Sequence, residues 1–160
     1  MAVFGTMTGR ALLTFLLAMV PVVELRGAIP YGVAAGLPLW AAYWLAVTGN
    51  LLPVPFIMLL VRRVFARLRR GAWWGPKIAV LERRAHLKGR IVTKYRLPGL
   101  ILLVAIPLPG TGAWTGALAA SLLDIRMKTA LPAIAAGVLI AGALTGLITS
   151  GVTLLFSEIL

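Results

Sequence analysis

The chain has 160 residues, of which 61% are hydrophobic and 12% charged, and its formal charge is +12. Soluble domains run at roughly 45–50% apolar and about 25% charged, and a chain this short cannot bury the difference, so lipid is the expected solvent. The long Leu-, Ala- and Gly-rich runs exclude a β-barrel, which needs short alternating strands. With no cysteine there is neither a disulfide framework nor a Cys-ligated metal site, and one histidine with four acids leaves little for any metal. Nucleic acid is not the expected partner of the positive charge. Twelve of the sixteen Lys and Arg lie between Arg62 and Arg96, and a basic block between apolar runs reads as a cytoplasmic loop.

Four apolar stretches follow in chain order. The first runs from about Ala11 to Leu37 and contains Glu24 and Arg26. Its opening, Arg10 followed by apolar residues to Val23, has the look of a signal peptide, but no small-residue cleavage site follows and the segment is read as retained. The second stretch runs from Leu39 to Val61, with Pro53 and Pro55 expected to bend it. The third, Leu97 to Leu123, is interrupted by Pro107, Pro109, Gly110 and Gly112; the fourth runs uncharged from Thr129 to Phe156.

The second and fourth stretches are long enough to cross a bilayer. The first and third are each broken near the middle, with Pro21, Gly27 and Pro30 expected to bracket the first break. Their arms are too short to span and suit re-entrant hairpins. If both dip in and return, the basic segment 62–96 and the Arg126/Lys128 turn lie on one face, as positive-inside distribution prefers, and both termini lie on the other.

The expected fold is therefore an all-α polytopic membrane protein built as an inverted repeat. Each half is a re-entrant helical hairpin plus a transmembrane helix. The first repeat covers 1–61 (hairpin about 7–37, span about 38–61), and the second covers 97–160 (hairpin about 97–123, span about 128–157). A basic amphipathic cytoplasmic connector, 62–96, joins them; its stripe of Val80, Leu87, Ile91 and Tyr95 suits an anionic leaflet. Gly32-to-Gly36 and Gly112-to-Gly116 look like an internal echo of close-packing GxxxG spacings. Inverted repeats whose broken helices meet near the midplane are a transporter design.

The candidate site is the pair of breaks. Ionisable residues at membrane depth are costly and functional by default. Arg26 is read as a ligand for an anionic head group and Glu24 as a proton acceptor. Alternatively the two hold the hairpin tip together, or the tip reaches the interface and both are hydrated. At the second break Thr111 is expected to cap the following arm, whose N–H groups would suit phosphate or carboxylate, or else Pro and Gly simply make the turn. Trp114 either stacks on substrate or, the better reading, packs the hairpin. Asn50, beside Gly49, is expected to hydrogen-bond a tip. Hairpin tips are assigned to Gly27, Pro30, Pro107, Pro109, Gly110 and Gly112. No catalytic constellation is visible, since His86 has no nucleophile near it in sequence, so an enzyme is not expected, nor is a cofactor or metal. Gly142 and Gly146 offer a close-packing face and, with it, an expected homodimer.

Three segments carry a resemblance: Glu24-Leu-Arg-Gly-Ala-Ile-Pro30, Gly49-Asn-Leu-Leu-Pro-Val-Pro55 and Ala105-Ile-Pro-Leu-Pro-Gly-Thr-Gly-Ala-Trp-Thr-Gly116. Together they resemble the small multidrug export family, itself similar to the DedA, or SNARE-associated (VTT-domain), membrane proteins. The resemblance covers nearly the whole chain. It implies a multi-pass protein of a bacterial or archaeal cytoplasmic membrane. From the DedA side it implies proton-linked movement of lipids, with anionic lipid or polyprenyl phosphate as partner. DedA-like proteins carry further acidic and arginine residues in and after the second hairpin, whereas Pro107 to Gly116 is uncharged here. The leading expectation is a flippase for a lipid phosphate. The alternative is a proton-coupled exporter of cationic drugs with Glu24 as the shared site, and a third reading is a non-transporting membrane scaffold.

Overall fold

A computed structural model describes residues 6–69, 80, 96–106 and 110–159. The expected amphipathic connector helix and the tip residues Pro107 and Pro109 lie outside the described residues. Among the described residues the chain is helical, with no strand. The helices are α1 (Met7–Met19), α2 (Glu24–Ala34), α3 (Leu39–Leu51), α4 (Pro53–Arg69), α5 (Arg96–Ala105), α6 (Ala113–Leu122) and α7 (Met127–Ile159).

Local chemistry sets these boundaries. Thr6 caps α1, its Oγ1 accepting from the Gly9 N–H at 3.2 Å. Pro21 pushes the preceding Val20 into extended geometry (φ −76°, ψ 128°), and α1 stops there. The first break is therefore the short turn 20–23. Gly27 and Pro30 do not bracket it, contrary to expectation; both lie within α2. Pro30 removes the hydrogen bond to the Arg26 carbonyl one turn back, and its ring crowds that carbonyl. Pro53 opens α4, a position where its missing N–H is harmless, so the second apolar stretch is two helices meeting at Leu52.

Both arms after a break end in the same way. At the end of α2, Gly36 is left-handed (φ 90°) and the Leu37 N–H reaches back to the Gly32 carbonyl at 2.9 Å. At the end of α6, Asp124 is left-handed (φ 52°) and the Ile125 N–H reaches the Ala120 carbonyl at 2.9 Å. These are Schellman turns, and each tucks the apolar residue that follows, Leu37 or Ile125, into the core.

The packing of the two halves also matches. In the first, α1 packs on α2 and α3, and α2 packs on α3; in the second, α5 packs on α6 and α7, and α6 packs on α7. Arg10, near the start of α1, donates to the Ala35 carbonyl past the end of α2 at 2.7 Å, so these helices run antiparallel. Gly49 of α3 sits directly on the Phe15 carbonyl and Ala18 of α1. Gly137 of α7 sits on the Ile101 carbonyl and Val104 of α5. Phe15 and Ile101 each lie one turn before the end of their helix.

The halves join through α4 with α6, and α2 and α3 with α7. Leu25, Ile29, Val54, Met58, Ile134 and Val138, on helices that form this seam, are fully buried. Outward-facing Trp40, Phe56, Leu60 and Leu147 leave a broadly apolar exterior. Two helical segments, Leu39–Arg67 and Met127–Leu155, are each long and apolar enough to cross a membrane.

Gly142 and Gly146 face inward. A Cβ on Gly142 would stand 2.8 Å from the Tyr43 ring, and one on Gly146 would touch Leu39. The face on which the homodimer expectation rested is thus used within the chain. The GxxxG echo is corrected as well. Gly32 lies at the end of its arm, against Ala42 and Thr14, whereas Gly112 lies at the start of the other.

Candidate functional site

The two breaks meet. Glu24 is the first residue of α2 and only 4% exposed, and it adopts a left-handed backbone (φ 48°) that a non-glycine residue rarely takes. That conformation, held at a cost of on the order of 1–3 kcal/mol, turns its carboxylate toward the start of α6. There Oε1 accepts the Trp114 backbone N–H at 3.3 Å. The first N–H groups of a helix lack internal partners and favour negative charge, so a carboxylate from the other half completes this helix end.

Thr111 was expected to be that cap. The capping position is held instead by Gly112, which makes no side-chain cap bond. Gly112 has φ 156°, and any Cβ there would overlap the Glu24 carboxylate. The hydroxyl of Thr111 turns the other way, donating to the Ile106 carbonyl at 2.8 Å across the second break. Thr115 supports the same turn by donating to the Gly110 carbonyl at 2.7 Å.

Arg26 extends from the first turn of α2 to the same loop. Its Nη2 donates to the Ile106 carbonyl at 2.9 Å and to Thr111 Oγ1 at 3.0 Å, and its Nη1 donates to the Thr111 carbonyl. The planar fork of a guanidinium suits such a cluster of acceptors. Glu24 and Arg26 thus take different partners in the second break, the acid at the helix end and the base at the loop carbonyls.

Trp114 serves both breaks. Its indole Nε1 donates to the Met19 carbonyl at 3.2 Å, at the end of α1. Its ring also lines a cavity of about 520 Å3 with Met19, Leu52, Phe56, Leu60 and Arg63. This volume is in the usual range for small-molecule sites, which are mostly apolar with a few polar groups. A second cavity, about 340 Å3, lies between α2 and α7 and is lined by Pro30, Val33, Ala34, Ile148, Thr149 and Thr153.

The structure therefore brings Glu24, Arg26, Gly112, Thr111 and Trp114 together. Asn50 does not hydrogen-bond a tip as expected; it is fully buried, and neither its Oδ1 nor its Nδ2 has a hydrogen-bond partner. Sequence reasoning missed the Met19 and Ile106 carbonyls, because any residue type supplies a carbonyl. It also missed Arg62, whose Nη2 donates to the Ile125 carbonyl and ties α4 to the turn before α7.

A family model described as "Putative small multi-drug export protein" matches residues 24–144. The chain belongs to this family. The matched region begins at Glu24 itself, directly after the first break, and includes the second break and α7 as far as Leu144. No curated protein and no solved structure matches the chain.

Proposed function

We propose that the protein exports lipophilic molecules across the membrane by alternating access around the contact between the two breaks, with Glu24 carrying the coupling proton. The observation that carries this reading is the Glu24 carboxylate of one half buried against Gly112 and bonded to the Trp114 N–H of the other. An ionised carboxylate holds a helix N-terminus strongly. A protonated one holds it weakly, so taking up a proton loosens the joint.

Two features support an inverted repeat of re-entrant hairpins around that joint. The matched glycines 49 and 137 and the matched turns at 36 and 124 share one spacing between the halves. With that spacing Glu24 corresponds to Gly112, and these corresponding residues touch each other, as residues beside a pseudo-two-fold axis do. In this reading the termini lie outside and the basic segment inside, as positive-inside distribution prefers. In that orientation the 520 Å3 cavity lies along α4 on the cytoplasmic side of the joint, and the 340 Å3 cavity lies between α2 and α7 on the outer side. They lie on opposite sides of the tip contact, as the two vestibules of an alternating-access transporter would.

The apolar lining with the aromatic residues Trp114 and Phe56 suits a lipophilic cation. The test is uptake of a fluorescent lipophilic cation into everted vesicles. Uptake driven by a proton gradient, abolished by a protonophore and by Glu24→Gln, is expected. Uptake equal to that of vesicles without the protein would sink the proposal.

One observation favours a second reading, movement of a lipid phosphate such as polyprenyl phosphate. Arg63 supplies a positive charge to the otherwise apolar larger cavity. A long chain would lie along α4 with its phosphate at Arg63, since Arg26 is engaged by Ile106 and Thr111. Transfer of a labelled lipid phosphate across liposomes, lost on Arg63→Ala, distinguishes this reading from drug export.

A further inference from the structure

Asn50 is buried with both polar side-chain atoms unpartnered within the protein, a state that is expensive at membrane depth. Packing does not require it. Gly49 and Gly137 hold the same place in the two halves, so the counterpart of Asn50 is Val138, which is apolar and equally buried. An amide stands where a valine fits.

Its position is informative. Gly32 of α2 meets Ala42 of α3, and these helices pack as neighbours. Asn50, also buried, lies about two turns beyond Ala42, and Glu24 lies about two turns before Gly32. With α2 running away from the break and α3 running toward it, Asn50 and Glu24 share one level. The chain just beyond adds acceptors. Pro53 and Pro55 have no N–H, so the Gly49 and Leu51 carbonyls lose their usual helical donors.

An unpartnered amide needs an acceptor for Nδ2 and a donor for Oδ1. A metal cation would serve Oδ1 and repel Nδ2. A water molecule serves both, and polar sites with several unsatisfied groups are where buried waters are found. We infer that Asn50 binds a water at the level of Glu24, and that Glu24 exchanges its proton through this water. The second clause rests on the export reading; the first does not.

The charged and titratable groups around Glu24 leave this route to Asn50. Arg26, on the same helix, is turned to Ile106 and Thr111. Arg10 of α1 is at the far end, on the Ala35 carbonyl. Tyr43 of α3 donates to the Leu139 carbonyl of α7 at 3.1 Å. From α6 it is the Trp114 backbone that faces the carboxylate, since Ala113–Leu122 contains no ionisable side chain. Asn50 here is a positioning residue, acting on Glu24 through the water.

The test is direct because Asn50 is the sole asparagine and the chain has no glutamine. The full-length protein, labelled with [15N]asparagine and reconstituted in lipid bilayers, therefore gives one side-chain amide signal. Solid-state NMR transfer from water protons to Nδ2 is expected at short mixing times. Absence of that transfer, with the amide correlated to a protein carbonyl, overturns the whole inference. In proteoliposomes, Asn50→Leu is expected to slow proton-driven export on the order of tenfold and to raise the solvent isotope effect. Asn50→Ser, whose hydroxyl can also hold water, is expected to restore most of the rate. Export by Asn50→Leu at the wild-type rate, with the variant folded by thermal unfolding, overturns the proton route. A water signal in a protein that exports no probe at all overturns the export reading and leaves the water site standing.

Discussion

The Glu24 carboxylate rests on Gly112 so closely that a Cβ at that glycine would overlap its oxygens, although the two residues are far apart in sequence and belong to different halves. The joint between the halves thus depends on the absence of a side chain as much as on the presence of an acid.

Gly112→Ala is therefore expected to lower stability by more than about 1 kcal/mol, because it adds both a left-handed alanine and a collision. Gly110 is the control. It also has a left-handed backbone (φ 81°), but a Cβ there meets nothing within 4 Å. Thermal unfolding in nanodiscs should show a larger drop in Tm for Gly112→Ala than for Gly110→Ala. Equal drops would mean that the Glu24 contact is energetically unimportant.

Arg26→Lys keeps the charge and loses the fork that engages Thr111 and Ile106 together. A folded protein with a lower Tm and reduced export is expected. Glu24→Gln combined with Arg26→Gln should be no more stable than the worse single variant, because each residue holds the second break through its own partners. If the double variant regains stability, the two charges serve mainly to neutralise one another.

Topology is open to cysteine labelling, since the chain has no native cysteine. An impermeant maleimide should reach Thr6→Cys and Ser157→Cys from outside. It should reach Gly89→Cys only after permeabilisation. Termini found on opposite faces would rule out two re-entrant hairpins.

Gly142→Leu is expected to disturb the monomer, because its Cβ would lie 2.8 Å from the Tyr43 ring and 3.4 Å from Val47. A fall in folded yield should appear whether or not the protein self-associates. Gly151→Leu, where a Cβ meets nothing within 4 Å, should have little effect. Comparison of size-exclusion profiles and Tm for the two variants decides this.

Much of the architecture is legible in the sequence because it follows from local rules. Run length and charge spacing identify the two segments able to cross a membrane, and Pro21 and Pro53 stop and start helices through steric effects that need no partner. Ionisable residues inside an apolar stretch single out Glu24 and Arg26 for the same reason: burying charge is costly wherever the chain leads. Which group completes the end of α6 is a different kind of question. Thr111 has the right chemistry and the right place in sequence, yet Glu24 arrives from the other half and takes the role. Pro21 starts the first break, but the break closes at Glu24, ahead of Gly27 and Pro30, where a strained backbone faces that distant contact. Gly142 and Gly146 read equally well as a face for a second copy or for the chain's own α3, and only three-dimensional packing chooses between them. Sequence determined the two segments long and apolar enough to cross a membrane, the basic segment and the two charged positions, since propensity and solvation act residue by residue. Tertiary structure decided the partners, since a hydrogen bond or a close approach between distant segments depends on where the rest of the chain brings them.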